Sequence, residues 1–407
     1  MSGFAGERYN FNADWRLAIG DVTDGASAVT PDADWQQVTL PYAWNQGEAY
    51  SRNCSELSDT VMWYRKHFRL PESARGRKVF VEFEGARFGA HVFINGHDLG
   101  WADNGVMAFG FDLTPYINYK KENVLAVYVD SDWKYREHKA TINGEGKEVH
   151  STFQWNDKNF YCNYGGINKR VWLHVTDDVY QTLPLYSNLG TKGVYVYGSD
   201  YDIGGKRVRC NVESEVVNGS GKPKEVMLHV DVTDLSGQTV ASFDGAPVKV
   251  AAGDTVTLKA HRELTDVHFW SWGYGYLYTV HSSLVVNGKK GDCQSIRTGF
   301  RKTAFRDGMV YLNDRVLQLK GFAQRSTNEW PAVGISVPAW MSDYSNAQVL
   351  GCNGNFFRWM HVTPSKQDVE SFDRLGLIQA MPAGDAEKDV TDRRWEQRCE
   401  VMRDAII

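Results

Sequence analysis

Short runs in which apolar and polar residues alternate dominate the first three hundred residues. Val79, Val81 and Phe83 alternate in one run, His91-Val92-Phe93-Ile94 forms another, and Val124-Leu125-Ala126-Val127-Tyr128-Val129 is a β-branched third. A period of two buries one face of a strand, so these runs predict half-buried strands. Asn95-Gly96 follows the second run and suits a two-residue hairpin, because both residues tolerate positive φ. From Trp15 to about Thr176 the pattern predicts an all-β sandwich. A second β block spans about Leu183 to Arg301, with Val208, Cys210, Val212 and Val216 alternating, then Val226, Leu228, Val230 and Val232. Turn signals at Asn218-Gly219-Ser220-Gly221 and Asn287-Gly288 divide it into about seven strands over roughly 110 residues, the density of an immunoglobulin-like sandwich.

After Arg306-Asp307-Gly308 the period changes. Val316-Leu317-Gln318-Leu319-Lys320 reads as a strand, and Ser336 to Leu350, with Pro338 in its first turn, reads as a helix. Asn355 to Met360 predicts a second strand. Ser365-x-x-Asp368 caps a helix ending near Gly376, and Leu377-Ile378-Gln379-Ala380 predicts a third strand. A last helix carries Trp395, Cys399, Met402 and Ile406 as an apolar stripe suited to packing on a sheet. The grammar is βαβαβα. Three such units are too few to close an eight-stranded barrel and leave an apolar edge unpaired, so the native protein is expected to be longer. A small open α/β layer is the alternative if the chain is complete.

Composition narrows the function. The 407 residues allow two to four domains, and 42% hydrophobic with 23% charged residues describes a folding chain. A net charge of −5 supplies no basic face, which argues against a nucleic-acid partner. The six cysteines form no C-x-x-C pair or zinc-spaced cluster and predict free, mostly buried thiols. No cofactor is expected, and no residues are assigned as metal ligands. No apolar run approaches the roughly 20 residues that span a bilayer, and the chain opens without a signal peptide, so a soluble protein with no membrane partner is expected, periplasmic or cytoplasmic. Homo-oligomerisation is left open.

Several segments resemble glycoside hydrolase family 2, of β-galactosidase type. Asp34 to Trp44, Trp63-Tyr64-Arg65-Lys66-His67-Phe68, Phe83 to Arg87, Val92 to Gly96, Phe111 to Tyr116, Asn123 to Val127 and Gly165 to Leu173 are similar to its sugar-binding sandwich. Gly299-Phe300-Arg301 and Leu312 to Gly321 resemble the junction into its barrel. The resemblance implies a multidomain fold: a jelly-roll sugar-binding sandwich over 1–182, an immunoglobulin-like sandwich over 183–302, and over 303–407 the first three βα units of a (β/α)8 TIM barrel. It implies an exo-acting retaining hydrolase of terminal β-galactosides, with carbohydrate as partner. A β-glucuronidase or β-mannosidase is the nearest alternative within the family, and a non-catalytic carbohydrate-binding protein the alternative outside it.

Retaining hydrolysis takes two carboxyl groups about 5 Å apart, one an acid and one a nucleophile. In the resembled family both are Glu, after the fourth and seventh barrel strands. They are therefore expected beyond Ile407, and the 407-residue chain is expected to be inactive alone. The remaining sugar-binding wall is expected at the strand ends. Arg358-Trp359-Met360-His361 resembles the family's Arg-x-x-His, in which Arg358 would support the catalytic carboxylate and His361 would donate to a sugar hydroxyl; a surface Arg and a structural His are the plainer reading. The loop from Gly321 to Trp330 departs from the family's Gly-x-Asn-Arg-His-Glu, with Ala323 and Gln324 in place of Asn and Arg, and Arg325 in place of His. Arg325 would face an acidic or modified sugar, or form a loop salt bridge with Glu329; Asn328 and Glu329 join the substrate-binding candidates. Gln379 to Ala383 replaces an Asp-Glu pair of many relatives, and Asp385, Glu387 and Asp389 either substitute for it or form a solvated loop. Trp155 is the aromatic candidate for stacking on a sugar. Asp200-x-Asp202 resembles part of a calcium loop but reads better as a hairpin turn.

Overall fold

A computed structural model describes residues 6–48, 60–87, 89–102, 105–131, 164–325, 336–360, 363–382 and 392–406. Nearest the N-terminus, a pair of antiparallel sheets face each other. One has the order Gln36–Val38, Trp15–Ile19, Val61–Phe68, Asn123–Asp130, Gly89–Ile94, His97–Ala102; the other has the order Glu7–Asn10, Val171–Thr176, Lys78–Phe83, Phe109–Asp112. The predicted alternation is realised: Val79, Val81 and Phe83 are fully buried in a core shared with Trp15, Leu17, Tyr64 and Val127. Asn95 and Gly96 have φ of 52° and 83° and turn one strand into the next. Arg65 is also fully buried. Its Nε donates to Asp32 Oδ2 at 2.7 Å and its Nη1 to the carbonyls of Gly25 and Ser27 at 2.7 Å, so the guanidinium organises the loop before Asp32.

The next two sheets form a second sandwich. Arg207–Asn218 lies between Thr255–Leu264 and the pair Val179–Gln181 and Val194–Asp202; facing it, Lys224–Thr233 lies beside Tyr278–Val286, which pairs with Lys289–Thr298. Val208, Cys210, Val212, Val216, Val226, Leu228, Val230 and Val232 are all fully buried between them. Each such side chain is worth about 1.5–3 kcal/mol. A one-residue slip of either strand would expose its whole set, which fixes the register. The expectation for cysteines holds only for some of them. Cys210 is buried, and burial pushes its thiol up to about 12, but Cys293 and Cys399 are half-buried and Cys352 is exposed. Asp202 accepts from the Gly205 amide and pairs with Arg207, while Asp200 pairs with Arg209, as a hairpin turn requires.

A three-stranded antiparallel meander, Thr303–Arg306, Met309–Leu312 and Arg315–Leu317, leads into three parallel strands: Gly321–Arg325, Phe356–Met360 and Ile378–Ala380. Helices Ala339–Gly351 and Lys366–Leu375 make the two crossovers, and helix Asp392–Ile406 follows. Two sequence expectations fail here. The first parallel strand is not Val316–Lys320 but Gly321–Arg325. Asn313 and Asp314, both at positive φ, fold Arg315–Leu317 back onto the preceding strand, and Gly321 is then admitted against the Phe356 carbonyl, where a Cβ would overlap. The last helix does not bury its predicted stripe: Trp395 and Ile406 are exposed, whereas Val401 is buried. This helix meets the short helix Tyr186–Leu189, with Asp404 accepting from the Ser187 hydroxyl and Arg403 over the Tyr186 ring. Among the described residues, no helix is long and apolar enough to cross a membrane.

Candidate functional site

The C-terminal ends of the three parallel strands form the candidate site. On the middle strand, Phe357 and Trp359 point into the helix-covered core with Val349, Phe372 and Leu377, so period-two alternation sends Arg358 to the opposite face. Arg358 is exposed there, in register with Ala323 on one side and Ala380 on the other. Two alanines beside an arginine leave the guanidinium free to reach across the sheet, and no acidic partner meets it among the described residues.

Arg325 ends the first strand and is in register with Met360, the residue before His361. The topology therefore brings Arg325 and Arg358 to neighbouring strands at one end of the sheet. Asn328, Glu329, His361 and Trp155 lie outside the described residues, as do Asp385, Glu387 and Asp389. Gln379 does not occupy the site face. Its Oε1 accepts from Trp359 Nε1 at 2.8 Å, so it completes the core on the helix side. Among the described residues, no group of three metal-ligating side chains gathers.

The helix Lys366–Leu375 positions these strands, and the sequence reading missed how. It is held by both sandwiches. Toward the first, Lys366 approaches Glu82 at 3.9 Å and Glu370 lies 3.8 Å from Arg170. Glu84 accepts from Arg170 Nε at 2.7 Å and from Trp172 Nε1 at 2.9 Å. Toward the second, Trp270 Nε1 donates to the Asp373 carbonyl at 2.8 Å, Glu370 approaches Arg297 at 3.8 Å, and the Gly273 amide donates to the Gly376 carbonyl at 2.9 Å. Gly376 closes the helix at φ 75°, as the sequence predicted. The predicted cap is altered at the other end: Ser365 donates to Asp368 Oδ2 at 2.7 Å.

Electrostatics follow from this junction. Burial alone would raise the Glu82 carboxyl, but Lys366, His174 and Arg8 together bring it down to about 2. Burial lowers the Lys169 ammonium to about 8 against the pull of Glu84 and Asp368, and Lys169 Nζ donates to the Val106 carbonyl at 2.6 Å. Burial likewise raises the Asp368 carboxyl. A sequence signal existed. Phe80, Glu82 and Glu84 sit on the face of Lys78–Phe83 and its continuation that points away from the sandwich core, and a lone Phe among acids on a nominally solvated face marks a face that something covers. Here Tyr180 covers Phe80, with ring centroids 5.5 Å apart.

Comparison with known proteins places this geometry in a lineage. Residues 46–165 match the family model described as glycosyl hydrolase 2 galactose-binding domain-like, and residues 193–301 match that of glycosyl hydrolases family 2. A β-glucuronidase of Formosa agariphila is 31% identical over 98% of this chain and 40% of its own length. A β-galactosidase of Bacteroides ovatus is 28% identical over 91% of this chain and 40% of its own length. The solved structure of a β-glucuronidase from glycoside hydrolase family 2 superposes with a TM-score of 0.90 at 30% identity, covering 100% of this chain and 42% of that one. The chain thus spans about 40% of the length of the curated relatives it matches.

Proposed function

The chain belongs to glycoside hydrolase family 2, and on that premise we propose that it forms the sandwiches and first three barrel units of a retaining exo-glycosidase acting on an acidic terminal β-linked sugar, a glucuronide. The observation that carries the retaining-hydrolase reading is Arg358, exposed between Ala323 and Ala380 at the strand ends and without an acidic partner among the described residues. The retaining mechanism takes a nucleophile that is ionised and an acid that is not. A guanidinium beside a carboxylate favours the ionised form, which is the nucleophile's requirement. In this reading Arg358 supports the nucleophile and His361 holds a sugar hydroxyl. Arg325, on the neighbouring strand end, is the group suited to bidentate contact with a sugar carboxylate. The β-glucuronidase matches of the comparison, by sequence and by structure, support the acidic sugar. The Bacteroides ovatus relative favours a second reading, β-galactosidase, the sequence expectation.

The test is a panel of nitrophenyl glycosides assayed with the product of the full open reading frame containing this chain, beside the 407-residue chain alone. Hydrolysis of the glucuronide by the full product supports the proposal. Hydrolysis of the galactoside alone supports the second reading, and a full product that cleaves none leaves a binding role. Hydrolysis by the 407-residue chain alone would show that the catalytic pair lies within it.

A further inference from the structure

At the opposite end of the parallel sheet, the second sandwich sends out a turn whose backbone is fixed and whose side chains are not covered. Ser271 and Tyr274 exchange backbone hydrogen bonds at 3.0 Å around Trp272-Gly273, with Gly273 at φ 64°. The Gly273 amide is tied to Gly376 at the end of the helix Lys366–Leu375, and a Cβ on Gly275 would overlap the Arg374 carbonyl. Trp270 is sunk beneath the turn with Arg301 over its ring at 5.0 Å. Trp272 and Tyr274, by contrast, are each 48% exposed.

Around them the aromatic surface continues. The Tyr274 hydroxyl bonds His268 Nδ1 at 2.9 Å, and the His268 ring stacks on Tyr276 with centroids 4.5 Å apart and planes 14° apart. Tyr274 and Tyr276 are themselves 29° from parallel at 5.9 Å. The rings of His268, Tyr274 and Tyr276 are therefore held in place before any ligand arrives, and Trp272 extends from the same backbone turn. Arg374, at the rim, is paired with Asp343 at 2.7 Å. With the Tyr274 hydroxyl and His268 Nδ1 bonded to each other, the polar edges left open among the described residues are the Tyr276 hydroxyl and His268 Nε2.

We infer that Trp272, Tyr274, Tyr276 and His268 form a binding platform for a neutral pyranose chain, separate from the candidate active site. Exposed aromatic faces on a rigid support match the C–H face of a pyranose ring, and phenol and imidazole edges match its hydroxyls. A purely apolar partner would leave those polar edges unpaired, and an anionic one would find the rim guanidinium of Arg374 already taken. Such a platform tethers the enzyme to a glycan while the strand ends at the other side of the sheet act on a chain terminus. This inference goes beyond the proposed hydrolysis and does not depend on which sugar is cleaved.

Calorimetric titration of the full open-reading-frame product with a graded series of neutral gluco- and galacto-oligosaccharides tests it, with an oligogalacturonide as charged control. Affinity should rise with chain length, and Trp272→Ala should weaken it about twofold to tenfold. The rate on a small nitrophenyl glycoside should not change. Tyr274→Ala reads the same platform from a second position should Trp272→Ala lose its native circular dichroism. Absence of binding to any neutral oligosaccharide, binding confined to the oligogalacturonide, or equal affinity in folded variants would overturn the inference. Loss of hydrolysis in the panel above would instead sink the proposed function and leave the platform standing.

Discussion

Two arginines of similar chemistry occupy opposite situations, and their substitutions should separate stability from turnover. Arg65 is fully buried, with Asp32 and several carbonyls as partners. Arg65→Ala leaves Asp32 nine-tenths buried without its main cation, and removing one partner of a buried pair costs about 3–5 kcal/mol. Urea denaturation should show that loss, and an unchanged midpoint would mean that His67, 2.7 Å from the same Asp32 oxygen, suffices. Arg358 is exposed and unpaired among the described residues, so Arg358→Ala should change stability by less than about 0.5 kcal/mol. Under the proposed function it should lower kcat of the full product on the order of a hundredfold, as loss of a positioned charge in a site does. Normal turnover would return Arg358 to the status of a surface residue. Both arginines were visible in the sequence, but only the structure tells them apart. Arg65 stood in a recognisable motif without any hint that it is buried, because burial of a charge depends on carbonyls from a loop forty residues away.

At the level of elements, the helix Lys366–Leu375 is the piece through which both sandwiches reach the site strands. Gly275 lies where the second sandwich touches that helix, and a Cβ there would overlap the Arg374 carbonyl, a backbone atom that has no side-chain freedom to move aside. Gly275→Ala should therefore cost about 1–3 kcal/mol, as overpacking does, and Trp270→Phe, which removes the donor to the Asp373 carbonyl, about 1 kcal/mol. Thermal melts of the two variants beside wild type would check the order. An alanine variant as stable as wild type would mean that the helix end yields. The strands and crossover helices were legible from periodicity because each buries one face, and Val208 to Val216 or Val226 to Val232 could be assigned side by side. What failed were placements set by a neighbour. Arg315–Leu317 pairs backward because Asn313-Asp314 turns the chain, so the first parallel strand starts at Gly321, and a run rich in Val and Leu does not say which sheet it will join. Gln379 reads as a strand-end polar group and proves to be the partner of Trp359, a contact twenty residues apart in sequence.

For the whole molecule, the junction between the first sandwich and the site-bearing helix is ionic, so its integrity should depend on pH with a definite sign. Glu82 is almost fully buried and is held ionised by Lys366, His174 and Arg8, with its carboxyl brought from the ordinary 4.5 to about 2. As pH falls below 4.5 the unfolded chain takes up this proton before the native one does, so the unfolded state gains stability over the native state. The contribution is fully present above about pH 4.5 and is gone once pH has passed below about 2; over that window it amounts to about 3 kcal/mol. Glu82→Gln removes the titration while keeping the shape. Urea midpoints measured across the window should fall less steeply with acid for the variant than for wild type, and at pH 7 the variant should be the less stable of the two. Parallel slopes would mean that the carboxylate is not what joins sandwich to helix. If the slopes differ as expected, acid should also loosen the strand ends that carry Arg358, because the same helix that Glu82 grips through Lys366 packs Phe372 against Phe357 and Trp359 on the other side of Arg358's strand. Activity of the full product should then fall in acid earlier than global unfolding does in the wild type, and the two should coincide in Glu82→Gln.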